Sequence, residues 1–305
     1  MGVMIDGTYL TEDPGPDTTE GGAFKRAAST IRNWIAAGGP HPPEPGRYHL
    51  YAAWNCPWAH RALLGRAVLG LESAITVSHA LPRRTEDGWV FESDGAFADT
   101  EFGAAALHEV YARQRPAYTG RITVPLLWDR AEGRIVSNES ADILRMLNAF
   151  VDGEGLHPAQ HRNAIERRNA EIYPKLNNGV YRAGFARTQE AYDTAVAKVF
   201  EMLDRLDAHL DSRTYLCGDD LTEADLRLFP TLARFDVAYH YAFKCNIRRL
   251  SDYGALWAYA RRLHARPEIA ATVRFDIYKQ GYFSPSPLRN PLGIVPAGPE
   301  IDWSI

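Results

Sequence analysis

The hydrophobic period changes once along this chain, and that change limits the kinds of core it can build. From Arg47 apolar residues first alternate, as Tyr48, Leu50 and Ala52, and then recur every three or four, as Leu63, Leu64, Ala67, Val68 and Leu71. Alternation sends side chains to the two faces of a strand, whereas the wider spacing lines one face of a helix. Beyond "DGEGLHP" only the helical period persists, and Tyr192, Val196, Val199, Leu203, Leu206 and Leu210 step by four and three. That stripe marks a buried helix face. A sheet-and-helix first half followed by an all-helical second half is expected, and 305 residues, 46% of them hydrophobic, are enough for two cores.

The first half can be ordered further. A strand at 47–53 leads to a helix opened by Pro57, where the missing N–H costs nothing, and "SAITVSHA" gives a second strand. The interval from Leu81 to Arg121 is long for a connection and carries one helix, "GAAALHEVYARQ". "RITVPLLWDRAEGRIVSN" then reads as two strands about a turn at Glu132-Gly133, and "NESADILRMLNAF" as a helix. The order β-α-β, excursion, β-β-α is that of a thioredoxin-like α/β domain. The expected division is an N-terminal extension at 1–46, a thioredoxin-like domain at 47–152, an all-helical domain at 153–274 and an irregular tail at 275–305. One short helix is expected in "FKRAASTIRNWI" within the extension. In "LTEADL", Thr222 is expected to cap a helix, with Asp225 reaching back and Leu221 stapling onto Leu226.

Charge and composition exclude several classes of partner. The formal charge is only −4 and no run of like charges occurs, which argues against nucleic acid and anionic membranes. No apolar run approaches membrane-spanning length and the first thirty residues do not read as a secretory leader, so a cytoplasmic location is inferred. The three cysteines, Cys56, Cys217 and Cys245, are far apart and fit neither a disulfide framework nor a zinc module. His157 and His161 lack a third ligand, so no metal is expected. Phosphate loops, nucleophile elbows and dinucleotide fingerprints are missing from the sequence.

Cys56 is the residue with the most chemistry in its setting. Most free cysteines are small buried apolar groups, but one placed between a strand and a helix opened by proline faces unpaired N–H groups and the positive helix end. Both favour thiolate. The third residue after it is Ala59, so a mixed disulfide formed here must be resolved by an external thiol. Val124-Pro125 opens the strand after the excursion, where thioredoxin-like folds usually hold a cis proline beside a peptide-like ligand. Glu139 and Ser140 start a helix, where they can cap it or hold the ends of an amino acid. These three elements suit γ-glutamyl-cysteinyl-glycine. His60 is read as structural or as tuning the thiol, and Cys217 and Cys245 as packing residues.

"CPWAHR", "DGWVF", "GRITVPLLWD", "SNESADIL", "YPKLNNGVYRAGFARTQEAY", "LTEADLRLFPTLARFD", "FKCNIRRL" and "NPLGIVPAGP" together resemble the glutathionyl-hydroquinone reductases, the xi-class glutathione transferases. The resemblance implies the glutathione transferase fold and a homodimer. It also implies reduction of glutathionyl-hydroquinones with glutathione as co-substrate, through a mixed disulfide on Cys56. Trp89 would pack over glutathione, and Arg121, Ile122, Thr123, Val124, Glu139 and Ser140 would bind it. Tyr181 would donate a proton, and Tyr239 and Tyr282 would help to depress the thiol pKa. The family's tail usually reads like His-Tyr-Tyr-Gly-Ser-His, whereas this chain has "QGYFSP", which keeps one tyrosine as Tyr282. A conventional transferase, a thioltransferase or dehydroascorbate reductase, and a non-catalytic scaffold of the same fold stand as alternatives.

Overall fold

The computed structural model describes residues 2–11 and 17–305. Two compact units emerge, one gathering Ala28–Gly153 with the N-terminal end, the other Glu154–Ile305 with residues 17–27.

The first unit is built on a four-stranded sheet. Its elements, with two short N-terminal strands β1 (Val3–Ile5) and β2 (Thr8–Leu10), run in order β3 (Tyr48–Ala52), α1 (Pro57–Val68), β4 (Ile75–His79), α2 (Leu107–Gln114), β5 (Gly120–Arg121), β6 (Leu126–Asp129), β7 (Arg134–Ser137) and α3 (Ser140–Met146). β3 lies parallel to β4, with Tyr48 opposite Ile75, and antiparallel to β6, with Leu50 opposite Leu127. All five residues of β3 are buried, and because successive side chains point to opposite faces, both faces of this central strand are covered. Among the five is His49, whose ring nitrogens meet Thr76 Oγ1 at 2.7 Å and Ser78 Oγ at 3.0 Å. Burial pushes its imidazole down to about 4, so it packs there as a neutral hydrogen-bonding group. A three-stranded sheet, β2-β1-β5, sets Val3 opposite Arg121.

The short helix expected in "FKRAASTIRNWI" does not form. Ile31 N–H donates to Asn138 Oδ1 at 3.2 Å and Asn33 N–H to the Val136 carbonyl at 2.8 Å, so this segment runs extended beside β7. Ile31 and Ile35 are buried in the sheet's core, and Arg32 grips Asp142 with two hydrogen bonds of 2.6 and 2.8 Å. Satisfying the open edge of β7 competes with local helix formation, and the edge prevails.

The second unit is helical: α4 (Arg162–Ile172), α5 (Gly179–Gly184), α6 (Gln189–Leu210), α7 (Glu223–Arg234), α8 (His240–Ala242), α9 (Ala255–His264), α10 (Pro267–Ala270) and α11 (Phe275–Tyr282). Wider turns at Tyr173–Asn177 and Phe235–Tyr239 join α4 to α5 and α7 to α8. α6 buries Val196, Val199, Leu203, Leu206 and Leu210 of the stripe expected from the spacing, while Tyr192 at its start is only half-buried, its hydroxyl donating to the Lys244 carbonyl at 2.6 Å. Asp225 reaches back to Thr222 N–H at 2.9 Å, as the motif suggests, while the Thr222 hydroxyl donates to the same carboxylate. The chain beyond residue 274 is not irregular throughout, because Phe275–Tyr282 is helical and buries Ile277 and Tyr278. Nearby Gly281 and Pro285 mask that short pattern in the sequence. Among the described residues, no helix is long and apolar enough to cross a membrane.

Candidate active site

The first unit places Cys56 at the N-cap of α1, with extended backbone angles and Pro57 as the first helical residue. Ala59 N–H donates to its sulfur at 3.5 Å. An N–H aimed at sulfur from the positive end of a helix stabilises negative charge there. The sulfur also lies 3.6 Å from the carbonyl oxygen of Val124, to which the protonated thiol donates. The sulfur thus meets both an N–H donor and a carbonyl acceptor. At the other two cysteines burial pushes Cys217 up to about 11 and Cys245 far above its usual value. His60, on the same helix, is buried and its N–H bonds the Cys56 carbonyl.

Around the sulfur, the Val124–Pro125 peptide is cis. Arg121 is held in β5 by Val3, and Ile122 N–H donates to the Gly2 carbonyl. The hydroxyl of Tyr111 in α2 donates to the Thr123 carbonyl at 3.0 Å and accepts from Asn138 Nδ2 at 3.2 Å. One buried phenol thus ties the segment before Pro125 to the turn that leads into α3. Burial pushes this tyrosine up to about 12, so it keeps its proton. Sequence reasoning missed Tyr111; its only signal was an aromatic residue on the apolar face of the excursion helix. Glu139 caps α3, accepting from Ala141 N–H at 3.1 Å and from the Ser140 hydroxyl at 3.5 Å. Trp89 is only 7% exposed, and its buried indole N–H finds no acceptor among the described residues. A buried donor without a partner is costly, and a polar ligand lying along the ring would satisfy it.

The second unit brings the three expected tyrosines together. Tyr181 of α5 and Tyr282 of α11 meet through their hydroxyls at 2.7 Å, and Tyr282 meets Tyr239 at 3.0 Å. The Tyr282 hydroxyl therefore meets both of the others. Burial pushes both Tyr239 and Tyr282 well above the usual phenol range, so they act as donors and not as anions. Phe243 floors the cluster, its ring 5.1 Å from Tyr181, 5.3 Å from Tyr239 and 5.6 Å from Tyr282.

Gly184 makes that floor possible. A Cβ at this position would stand 2.3 Å from Phe243 Cγ and 2.7 Å from its Cβ, so the ring and its backbone would both have to move. Gly to Ala inside a helix ordinarily stabilises by about 1 kcal/mol. Here Gly184→Ala is expected to destabilise by about 1–3 kcal/mol and to lower turnover as the tyrosines shift. Urea unfolding reads the sign directly, and a stabilised variant would contradict the packing described.

The sequence matches the family model of the glutathione S-transferase N-terminal domain over residues 55–149 and that of the C-terminal domain over residues 189–262. It is 48% identical to glutathionyl-hydroquinone reductase PcpF of Sphingobium chlorophenolicum, over 98% of this chain and 96% of that protein. The chain belongs to the glutathionyl-hydroquinone reductases, the xi-class glutathione transferases. Its family relatives include glutathionyl-hydroquinone reductase YqjG of Escherichia coli, 46% identical over 98% of this chain and 95% of that protein. The xi-class transferase of Natrialba magadii superposes with a TM-score of 0.92 at 42% identity, covering 100% of this chain and 95% of that one. The glutathione-bound structure of YqjG superposes with a TM-score of 0.88 at 42% identity, covering 100% and 97%. The glutathione transferase fold expected from the sequence is therefore the fold of this chain.

Proposed function

We propose that this enzyme reduces glutathionyl-hydroquinones with glutathione, releasing the hydroquinone and glutathione disulfide. The observation that carries the reading is the sulfur of Cys56, capped by the Ala59 N–H at a helix N-terminus in a chain without a neighbouring cysteine to resolve it. Relatives named for this reaction, matched along nearly the whole chain, support it.

The Cys56 thiolate attacks the glutathionyl sulfur, the new S–S bond forms as the aryl C–S bond breaks, and the electron pair passes to the ring carbon. That carbon takes a proton, for which Tyr181 is the donor, backed by Tyr282 and Tyr239. A second glutathione, as thiolate, then attacks the mixed disulfide and restores Cys56. Trp89 covers the glutathione and offers its indole N–H. The Arg121 to Val124 segment lies along the peptide, and Glu139 and Ser140 take its γ-glutamyl end. In this reading 47–152 is the glutathione-binding domain, 153–274 carries the hydroquinone side, and the enzyme works in the cytoplasm as a homodimer.

Mass spectrometry tests the central step. Protein incubated with glutathionyl-menadiol is expected to gain one glutathione on Cys56, removed by excess glutathione. If Cys56 stays unmodified, the reductase reading fails.

A further inference from the structure

We propose that Arg234 is a positioning residue for the protonation step: through Tyr278 and the hydroxyls of Tyr282 and Tyr239, its buried charge favours the tyrosinate left when Tyr181 gives up its proton. The assignment rests on the reading above, in which Tyr181 is the donor.

Arg234 ends α7 with its side chain fully buried. Taking a guanidinium out of water is unfavourable unless other groups compensate. Nη1 donates to the Pro230 carbonyl at 2.9 Å, one turn back at the negative end of α7. Its Cζ also lies 3.7 Å from the centre of the Tyr278 ring, a close cation–π contact. Tyr278 and Tyr282 stand four apart on α11 and so share a face. The guanidinium therefore fixes the helix that carries Tyr282, whose hydroxyl meets those of both Tyr181 and Tyr239. Burial lowers the arginine's proton affinity, but the phenols of Tyr278, Tyr282, Tyr239 and Tyr181 hold it up. On Tyr239 and Tyr282, Arg234 in turn opposes the upward push of burial. Arg26 also stacks on Tyr181, at 4.7 Å. It is partly exposed and bonded to Asn178, so solvent screens more of its field.

The consequence is chemical. When the aryl C–S bond breaks, the ring carbon takes the Tyr181 proton, and the oxygen left behind accepts from Tyr282, which accepts from Tyr239. The tyrosinate recovers its proton from the thiol of the second glutathione, whose thiolate leaves as half of the disulfide. Atoms and electrons balance with no further reactant. Transfer of glutathione to Cys56 from glutathione disulfide breaks no C–S bond and needs no proton on carbon.

The test compares two glutathione donors by the rate at which Cys56 gains its adduct in Arg234→Met, Arg234→Lys and wild type. General acid assistance is worth roughly 10²- to 10⁴-fold. Arg234→Met is expected to slow transfer from glutathionyl-menadiol by roughly 10- to 100-fold while leaving transfer from glutathione disulfide unchanged, and Arg234→Lys, which keeps the charge, to restore much of the loss. Should Arg234→Met not accumulate, Arg234→Gln takes its place with the same outcomes. Equal slowing with both donors would mean a structural role only and overturn the proposal, as would an unchanged rate with glutathionyl-menadiol or a lysine variant as slow as methionine. If wild-type Cys56 accepts glutathione from the disulfide but never from glutathionyl-menadiol, the reductase reading falls and this assignment falls with it.

Discussion

Replacing Cys56 by serine is expected to abolish formation of hydroquinone from glutathionyl-hydroquinone, a loss on the order of 10³-fold or more, while leaving thermal unfolding unchanged. Serine is among the favoured N-cap residues, and its hydroxyl can accept from the Ala59 N–H as the sulfur does at 3.5 Å. The cap survives, so the fold survives. The nucleophile does not, because an N–H and a helix dipole can ionise a thiol near neutral pH but not an aliphatic hydroxyl. Cys217→Ser and Cys245→Ser serve as controls. Burial holds both thiols protonated, and neither replacement should alter the rate. Chromatography of the released hydroquinone gives the rate, and circular dichroism gives the melting. If Cys56→Ser still reduced the substrate while conjugation of an aryl halide rose, the reaction would run on bound glutathione instead of protein sulfur.

How much of this was legible beforehand depends on the range of the interactions concerned. The strand, Cys56, Pro57 and helix are neighbours in sequence, so both the cap and the chemistry could be read from local rules. The Thr222–Asp225 contact is local too and formed as read, and so did the α6 stripe from Val196 onward. Interactions between distant segments were not legible. The pairing of residues 31 and 33 with the region of β7 spans about a hundred positions, and nothing in "FKRAASTIRNWI" announces an edge waiting to be covered. Tyr111 joins Thr123 to Asn138 through one oxygen, a role that no spacing encodes. The tyrosine chain lies between these extremes. Resemblance named Tyr181, Tyr239 and Tyr282, but composition could not separate them from the other tyrosines. Arg234 looked like any arginine at a helix end, the place where a cation is expected to be solvated. Only the folded chain shows it buried against Tyr278.

The largest expected effect on stability comes from Asp225→Ala. This carboxylate is fully buried and accepts from Leu216 N–H at 2.9 Å, Thr222 N–H and hydroxyl at 2.9 Å each, and Tyr259 hydroxyl at 2.8 Å. Burial pushes its pKa up, against the pull of those four donors. Alanine would leave all four donors inside the helical core without an acceptor, and an orphaned buried donor costs about 1–3 kcal/mol. Thr222 can turn its hydroxyl elsewhere, which relieves part of the loss, so a destabilisation of roughly 3–5 kcal/mol is expected. Urea unfolding should show the midpoint fall with the slope retained. Asparagine should rescue little, since its amide nitrogen would present two more donors to groups that already donate. The effect should reach the chemistry as well. Asp225 fixes the first turn of α7, and the same helix ends at Arg234 and runs into the turn that carries Tyr239. Below its melting point, Asp225→Ala should therefore lose more of its rate with glutathionyl-menadiol than with glutathione disulfide, because only the first donor draws on the hydroxyl chain that α7 supports.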